Sequence, residues 1–196
     1  ITATEITLST TVPLFSDSLG AEYMTGDTTK RLLAKYYQAG GNLVKYPAVA
    51  GDDGSWNFGS GDFYTQLLIA NGVLHCFVRF PNFPLNSGDT ITSAVLSYTA
   101  SNALVNPVTP LVSTIYANDV DNAVAPTTAG QGNALVLTTA HTHWSAAAWV
   151  TDTVYASPDL AAPIQEVIDR VGWSYNNALM LVQVSTSGQG GMYDFS

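Results

Sequence analysis

Oxygen-bearing side chains cluster at residues 118–122, where the sequence reads NDVDN. Asn118, Asp119 and Asp121 carry the amide and carboxylate oxygens that hard cations such as Ca²⁺ prefer. The same side chains can instead bond to their own backbone, as Asn and Asp do in Asx turns. Asp52 and Asp53 in the segment GDDG are a second and weaker candidate for a cation. The sequence therefore predicts either a structural calcium site or an Asx turn, and otherwise no cofactor.

Two histidines stand two residues apart in the segment AHTHW, at His141 and His143. If this segment is a strand, both imidazoles project from the same side of it. Such a spacing suits a transition metal, whose preferred protein ligands include imidazole nitrogens. A third ligand is not evident nearby. A pair of surface or interface histidines is therefore the other interpretation.

Arg79 interrupts the apolar segment VLHCFVRF. A charge that is buried has to be paired, because an isolated ion in the protein interior is strongly unfavourable. Asp89, Asp119 and Glu166 are the predicted sources of the carboxylate. Arg79 is thus predicted to be structural, with contact to a ligand as the alternative.

Aromatic side chains are the candidates for ligand or interface contacts. Trp56, Phe58, Trp144 and Trp149 offer flat faces that stack on sugar rings or anchor a protein interface. Trp56 lies among glycines and aspartates, which predicts a loop and an exposed ring. Trp173 follows a helix stop and is predicted to be structural, packed under that helix.

The composition disfavours several classes of function. The net charge is −9 and only six residues are basic, so binding to nucleic acid or to an anionic membrane surface is not expected. No run of about 18 apolar residues is present to span a membrane. The motifs G-x-S-x-G and H-E-x-x-H are absent, which predicts a protein that is not an enzyme. Cys76, the one cysteine, is predicted to be a buried apolar side chain.

The elements that must position these residues are mostly strands. Alternating segments separated by turns every 8–15 residues predict an all-β fold, a β-sandwich or jelly roll. Asn71-Gly72 predicts a hairpin. Apolar residues at helical spacing predict one short α-helix at about residues 159–171, followed by a buried strand at 178–184. Residues 28–39 are compatible with a helix or a strand, and residues 1–196 are predicted to form a single domain.

Three segments in order resemble a known family: VRFPNFPLNSGDTITSAVLSYTA, IYANDVDNAVAPTT and SPDLAAPIQEVIDRVGWSYNNALMLVQV. Together they are similar to the jelly-roll domains called DNRLRE or disaggregatase-related. The resemblance covers roughly residues 73–184. It implies a β-sandwich that binds or packs and does not catalyse. Such domains occur in tailed-phage virion proteins and in secreted polysaccharide-binding modules.

The predicted function is that of a virion structural protein, a capsid-decorating (cement) or tail-associated subunit located on the virion surface. The terminal segments ITATEITLSTTV and GQGGMYDFS are predicted to be extended arms that reach neighbouring subunits. The expected partners are the major capsid protein or other virion proteins, with the chain itself a homo-oligomer. The alternative is an extracellular carbohydrate-binding module or adhesin domain of a secreted protein, with polysaccharide as its partner.

Overall fold

The computed structural model describes residues 4–11, 42–65, 68–101, 110–146 and 150–192. Strands dominate these ranges and confirm the all-β class. The elements in chain order are β1 (Thr4–Thr11), β2 (Asn42–Lys45), β3 (Asp53–Asn57), β4 (Phe63–Thr65), β5 (Leu68–Asn71), β6 (Leu74–Phe80), β7 (Thr90–Thr99), β8 (Leu111–Asn118), α1 (Ala129–Asn133), β9 (Leu137–Ala146), β10 (Val154–Ala156), α2 (Ala161–Ile168), β11 (Leu179–Ser187) and β12 (Gln189–Met192).

The described strands form two antiparallel sheets. The smaller sheet has the order β10-β7-β1-β2. The larger sheet has the order β12-β5-β6-β11-β8-β9, and β3 pairs with both β6 and β4 beside this path. Since successive side chains of a strand point to opposite faces, each sheet has an inner face towards the other sheet. The opposite side of the larger sheet is called the outer face below.

The main core lies between the two sheets and follows from strand alternation. The alternation in the segment DTITSAVLSYTA places Ala94, Leu96, Tyr98 and Ala100 on one face of a strand, and all four are buried in this core. Cys76 is also buried there, as predicted. Burial raises the pKa of the Cys76 thiol to about 12 and that of Tyr98 well above its ordinary value. Both groups therefore remain protonated at neutral pH and serve as packing residues.

Helix α2 closes one side of the space between the sheets. It packs on β7 of the smaller sheet and on β8 and β9 of the larger one, with Ile164, Val167 and Ile168 buried. Its polar residues bond to both sheets: Gln165 accepts from the backbone N–H of Ile91 at 2.8 Å, and Glu166 accepts from those of Thr139 and Ala140. The helix is shorter than the predicted 159–171, because residues after Ile168 continue as turns. The predicted strand that follows it is confirmed as β11.

A second, smaller core covers part of the outer face. Trp56, Phe77, Met180 and Val182 project from this side of the larger sheet and pack against the β8–β9 connection, which contains α1. The approach of α1 is close, since a Cβ added at Gly132 would lie 2.6 Å from the Trp56 ring. Glycine at this position therefore lets α1 lie directly on the indole.

Several segments differ from the sequence-based predictions. Residues 53–57, predicted to lie in a loop, form β3 and pair with β6. The turn of the β5–β6 hairpin is Gly72-Val73 rather than Asn71-Gly72, because Asn71 pairs with Leu74 and its side chain accepts from the N–H groups of Val73 and Leu74. Residues 28–39 lie outside the described ranges.

The predicted terminal arms are wrong for the residues that the structure describes. Strand β1 lies inside the smaller sheet, between β7 and β2, and its Ile6 and Leu8 are buried in the main core. Near the C-terminal end of the chain, strand β12 pairs with β5. Residues 1–3 and 193–196 lie outside the described ranges. These terminal segments are therefore parts of the sandwich.

Candidate functional site

On the outer face of the larger sheet, one row of neighbouring residues includes three ring-bearing side chains, those of Phe77, Tyr116 and His141. Gly54, Phe77, Val182, Tyr116 and His141 are direct neighbours across β3, β6, β11, β8 and β9. The other two of the chain's three histidines lie on the same face: His75 pairs with Trp56 across β6 and β3, and His143 pairs with Thr114 across β9 and β8. This face therefore concentrates aromatic and imidazole rings.

A cleft of about 360 Å³ opens on this face. Its lining includes Trp56, Phe58 and His75, together with Leu135 of the β8–β9 connection and Leu137, the first residue of β9. Val182 and Val184 of β11 also line the cleft, as do Gly132 and Asn133 of α1. The cleft is thus built by the sheet and by the connection that forms the second core.

Asn133 fixes the aromatic side of the cleft. Its carboxamide oxygen accepts from Trp56 Nε1 at 2.9 Å, and its Nδ2 donates to the backbone oxygen of Phe58 at 3.3 Å. The Phe58 ring stacks on His75, with the ring planes 7° apart and the centroids 5.1 Å apart. Phe58 is nevertheless 52% exposed. The Asn133 side chain of α1 therefore bonds both to β3, through Trp56, and to Phe58, the exposed aromatic residue that follows this strand.

The part of the cleft lining that the structure describes carries no full charge at neutral pH. None of its described lining residues is an aspartate, glutamate, lysine or arginine. Burial lowers the pKa of His75 below its ordinary value, so this imidazole is neutral at pH 7. The cleft consequently offers ring faces, aliphatic side chains and neutral hydrogen-bonding groups.

The four predicted contact residues have different positions. Phe58 is exposed and is therefore accessible to a ligand. Trp56 is only 2% exposed, so the prediction of an exposed ring is wrong: the indole lies beneath α1. Trp144 is also buried, because it points into the main core and stacks on Tyr98 with centroids 6.0 Å apart. Trp149 lies outside the described residues.

The oxygen-rich turn holds an arginine. Asp119 and Asp121 accept from the Arg170 guanidinium at 2.5 and 2.6 Å. The hydrogen bonds to Asp121 and Asp119 raise the pKa of Arg170 above its ordinary value. The Asn118 amide donates to the backbone oxygen of Val136 instead of facing these carboxylates. Calcium binding at this turn stays a prediction, and it would require Arg170 to move away.

Both residues predicted to be structural have structural contacts. The Arg79 guanidinium pairs with Asp52 at 2.5 Å and donates to the Ala123 backbone oxygen at 2.7 Å. None of the three predicted carboxylates is its partner, because β3 brings Asp52 beside β6. Trp173 is buried with α2 in the main core and donates to the backbone oxygen of Leu85.

Sequence reasoning missed the contribution of α1 to the cleft. The sequence does contain a signal for this helix: Thr128 and Gln131 have the spacing of a capping box. Thr128 Oγ1 accepts from the Gln131 N–H, and the Gln131 side chain accepts from the N–H of Thr127. The position of Asn133 against Trp56 had no comparable local signal.

Comparison with known proteins found no matching family model, no similar curated protein and no similar solved structure. Among the described residues, no helix is long and apolar enough to cross a membrane. The resemblance to DNRLRE domains accordingly stays a prediction. The geometry of the outer face is the basis for the functional proposal.

Proposed function

We propose that this chain is a non-catalytic carbohydrate-binding module that binds neutral polysaccharide in the outer-face cleft. The observation that carries the proposal is the exposed Phe58 ring in the lining of a cleft whose described residues carry no full charge. The C–H face of a pyranose ring packs on such a ring, and neighbouring amides bond to its hydroxyl groups. Asn133 and Asn57 are the amides adjacent to Phe58 in space and in sequence.

Charge argues for a neutral polymer. An anionic polysaccharide would meet a chain of net charge −9 and a cleft whose described lining contains no lysine or arginine. Electrostatic repulsion then disfavours association, whereas a neutral glycan carries no such penalty.

We further propose that the sandwich has jelly-roll topology. In a jelly roll of eight strands, the second, seventh, fourth and fifth strands lie side by side in one sheet, and the first, eighth, third and sixth in the other. The orders β6-β11-β8-β9 and β2-β1-β7-β10 correspond to these two sets. In this assignment β1 takes the place of the eighth strand, and β3 to β5 are an insertion beside the second. The surface of such a sheet can bind a ligand without catalysing a reaction.

Affinity gel electrophoresis with a panel of neutral polysaccharides tests the binding proposal. We expect at least one glucan, mannan or galactan to retard the wild-type protein, and Phe58→Ala to remove the retardation because the stacking surface is lost. The matched control is Val124→Ala, which shortens an exposed side chain that does not line the cleft. Equal retardation of Phe58→Ala and the wild type, or no retardation by any neutral polymer, would contradict the proposal.

A virion structural subunit is the second candidate, favoured by apolar side chains at an edge of the smaller sheet. Val154 lies on β10, the edge strand of the described sheet, and is 62% exposed. Val150, just before this strand, is also exposed. An exposed edge strand offers backbone N–H and C=O groups that pair with a neighbouring chain. A coat subunit or a second copy of this chain is the partner that such an edge would take.

The mass in solution, measured by light scattering, tests this second candidate. If β10 pairs with a second copy, the wild type is expected to form a symmetric oligomer. Val154→Lys should then give a monomer, because a charged residue at the edge blocks strand pairing. Val171→Lys, at an exposed position outside both sheets, is the control. A monomeric wild-type protein that also fails to bind a virion shell would count against the structural role.

A further inference from the structure

We infer that His141 and His143 form a binding site for a divalent transition-metal ion. Both residues lie on β9, two positions apart, and both are exposed on the outer face. Their rings contact each other, with centroids 5.1 Å apart and planes at 75°. The site is separate from the cleft, whose lining residues do not include either of them.

The separation of the rings suits two ligands of one ion. Zinc binds histidine nitrogens at about 2.0–2.1 Å in a tetrahedral arrangement, so two such nitrogens are roughly 3 Å apart. Each Nε2 lies about 1 Å from the centre of its ring. Rings with centroids 5.1 Å apart can therefore direct both nitrogens at one ion after small rotations of exposed side chains.

Hydrogen bonds at the Nδ1 atoms of His141 and His143 fix the orientation of the two imidazole rings. His141 Nδ1 lies 2.9 Å from the backbone oxygen of Thr139. A carbonyl only accepts, so Nδ1 carries a proton, and in the neutral imidazole that a metal ion binds the lone pair is then on Nε2. His143 Nδ1 lies 2.9 Å from Thr114 Oγ1, a hydroxyl that is able to accept in the same way. Histidines that ligate metals typically donate their other N–H to such oxygens.

The chemistry of the donors selects the class of ion. Two imidazoles suit Zn²⁺, Ni²⁺ and Cu²⁺, whereas Ca²⁺ and Mg²⁺ prefer oxygen. The described residues offer no group of three or more His, Cys, Asp or Glu that would enclose an ion. The remaining coordination positions therefore face solvent. Tyr116, whose ring centroid is 5.0 Å from that of His141, supports the imidazole from the neighbouring strand.

Isothermal titration calorimetry of the full chain without an affinity tag tests this site, with Zn²⁺ and Ni²⁺ as probes. We expect one ion per chain for the wild type. His141→Ala and His143→Ala should each weaken binding by at least about tenfold, because one of only two protein ligands is lost. Calcium should give no heat at this site. The control is His75→Ala, which removes the third histidine of the same face and should leave the affinity unchanged.

Nuclear magnetic resonance provides a readout that does not depend on variants. Two-bond ¹H–¹⁵N spectra of the three imidazoles should show that Zn²⁺ shifts Nε2 of both His141 and His143 and leaves His75 in place. Equal affinity of the wild type and the two alanine variants would overturn the inference. Zinc-induced shifts confined to His75, or to one member of the pair, would overturn it as well.

Discussion

Replacing Trp56 with alanine is expected to lower the free energy of unfolding by about 3–5 kcal/mol. The indole is 2% exposed and lies at the centre of the second core, between the larger sheet and α1. Its removal leaves a cavity that neighbouring side chains fill only in part. The Asn133 carboxamide oxygen also loses the hydrogen bond from Trp56 Nε1. Denaturation in urea, followed by far-ultraviolet circular dichroism, measures the loss.

Phe58→Ala is the matched control, because it removes an aromatic ring only two residues away. Phe58 is 52% exposed, so the variant is expected to lose less than about 1 kcal/mol. The pair of variants separates the two roles: Trp56 supports the cleft from beneath, and Phe58 presents a ring to the ligand. A similar loss of stability in both variants would contradict this division of roles.

Periodic segments of the sequence were sufficient to predict the main core. The alternation through β7 identified the buried face, and the helical spacing after Pro158 identified α2 and the apolar strand that follows it. These elements were predictable because the period of the apolar residues reports which side faces the core. The limits of α2 were less predictable, since its end depends on the contacts of residues 169–172 with the turn at Asp121.

Strand β3 was not predictable from local signals. Its segment is rich in glycine and aspartate, which indicates a loop, yet Gly54 and the preceding Asp52 make tertiary contacts that favour the strand. A Cβ at Gly54 would lie 2.7 Å from the Tyr64 backbone oxygen, so the glycine allows β4 to approach. Asp52, which precedes the strand, finds its arginine 27 residues away in sequence. Glycine and aspartate, which are typical of turns, here allow close packing and form an ion pair instead.

The same limit applies to the candidate site. The turn around Asp119 has the composition of a calcium site, but its counter-ion is Arg170, which is 51 residues away. The outer-face cleft needs Asn133 against Trp56, a separation of 77 residues. Trp56 was predicted to be the exposed ring because its segment is rich in glycine and aspartate, but it is buried because α1 covers it, and the exposed ring is that of Phe58, two residues later. Local composition identified residue types that suit a binding site, and only the fold showed which of these residues contact each other.

Replacing Arg79 with methionine is expected to lower the free energy of unfolding by about 3 kcal/mol. Methionine keeps much of the apolar stem but leaves the Asp52 carboxylate, 2% exposed, without its guanidinium partner. The Ala123 backbone oxygen loses a hydrogen bond too. The N–H groups of Ala48 and Val49 still donate to Asp52, so the loss stays at the lower end of the range for a broken buried pair.

Two further variants separate the buried charge from other effects of the Arg79 substitution. In Arg79→Met/Asp52→Asn the buried group is neutral, so this double variant should be more stable than Arg79→Met by at least about 1 kcal/mol. Arg170→Met is the control for a partly exposed ion pair: Arg170 and both of its aspartates keep 28–42% of their side-chain surface accessible to solvent, so the loss should stay below about 1 kcal/mol. Urea denaturation of the three variants gives the values. If the double variant is no more stable than Arg79→Met, then the cost arises from lost packing on the β8–β9 connection and not from an uncompensated carboxylate.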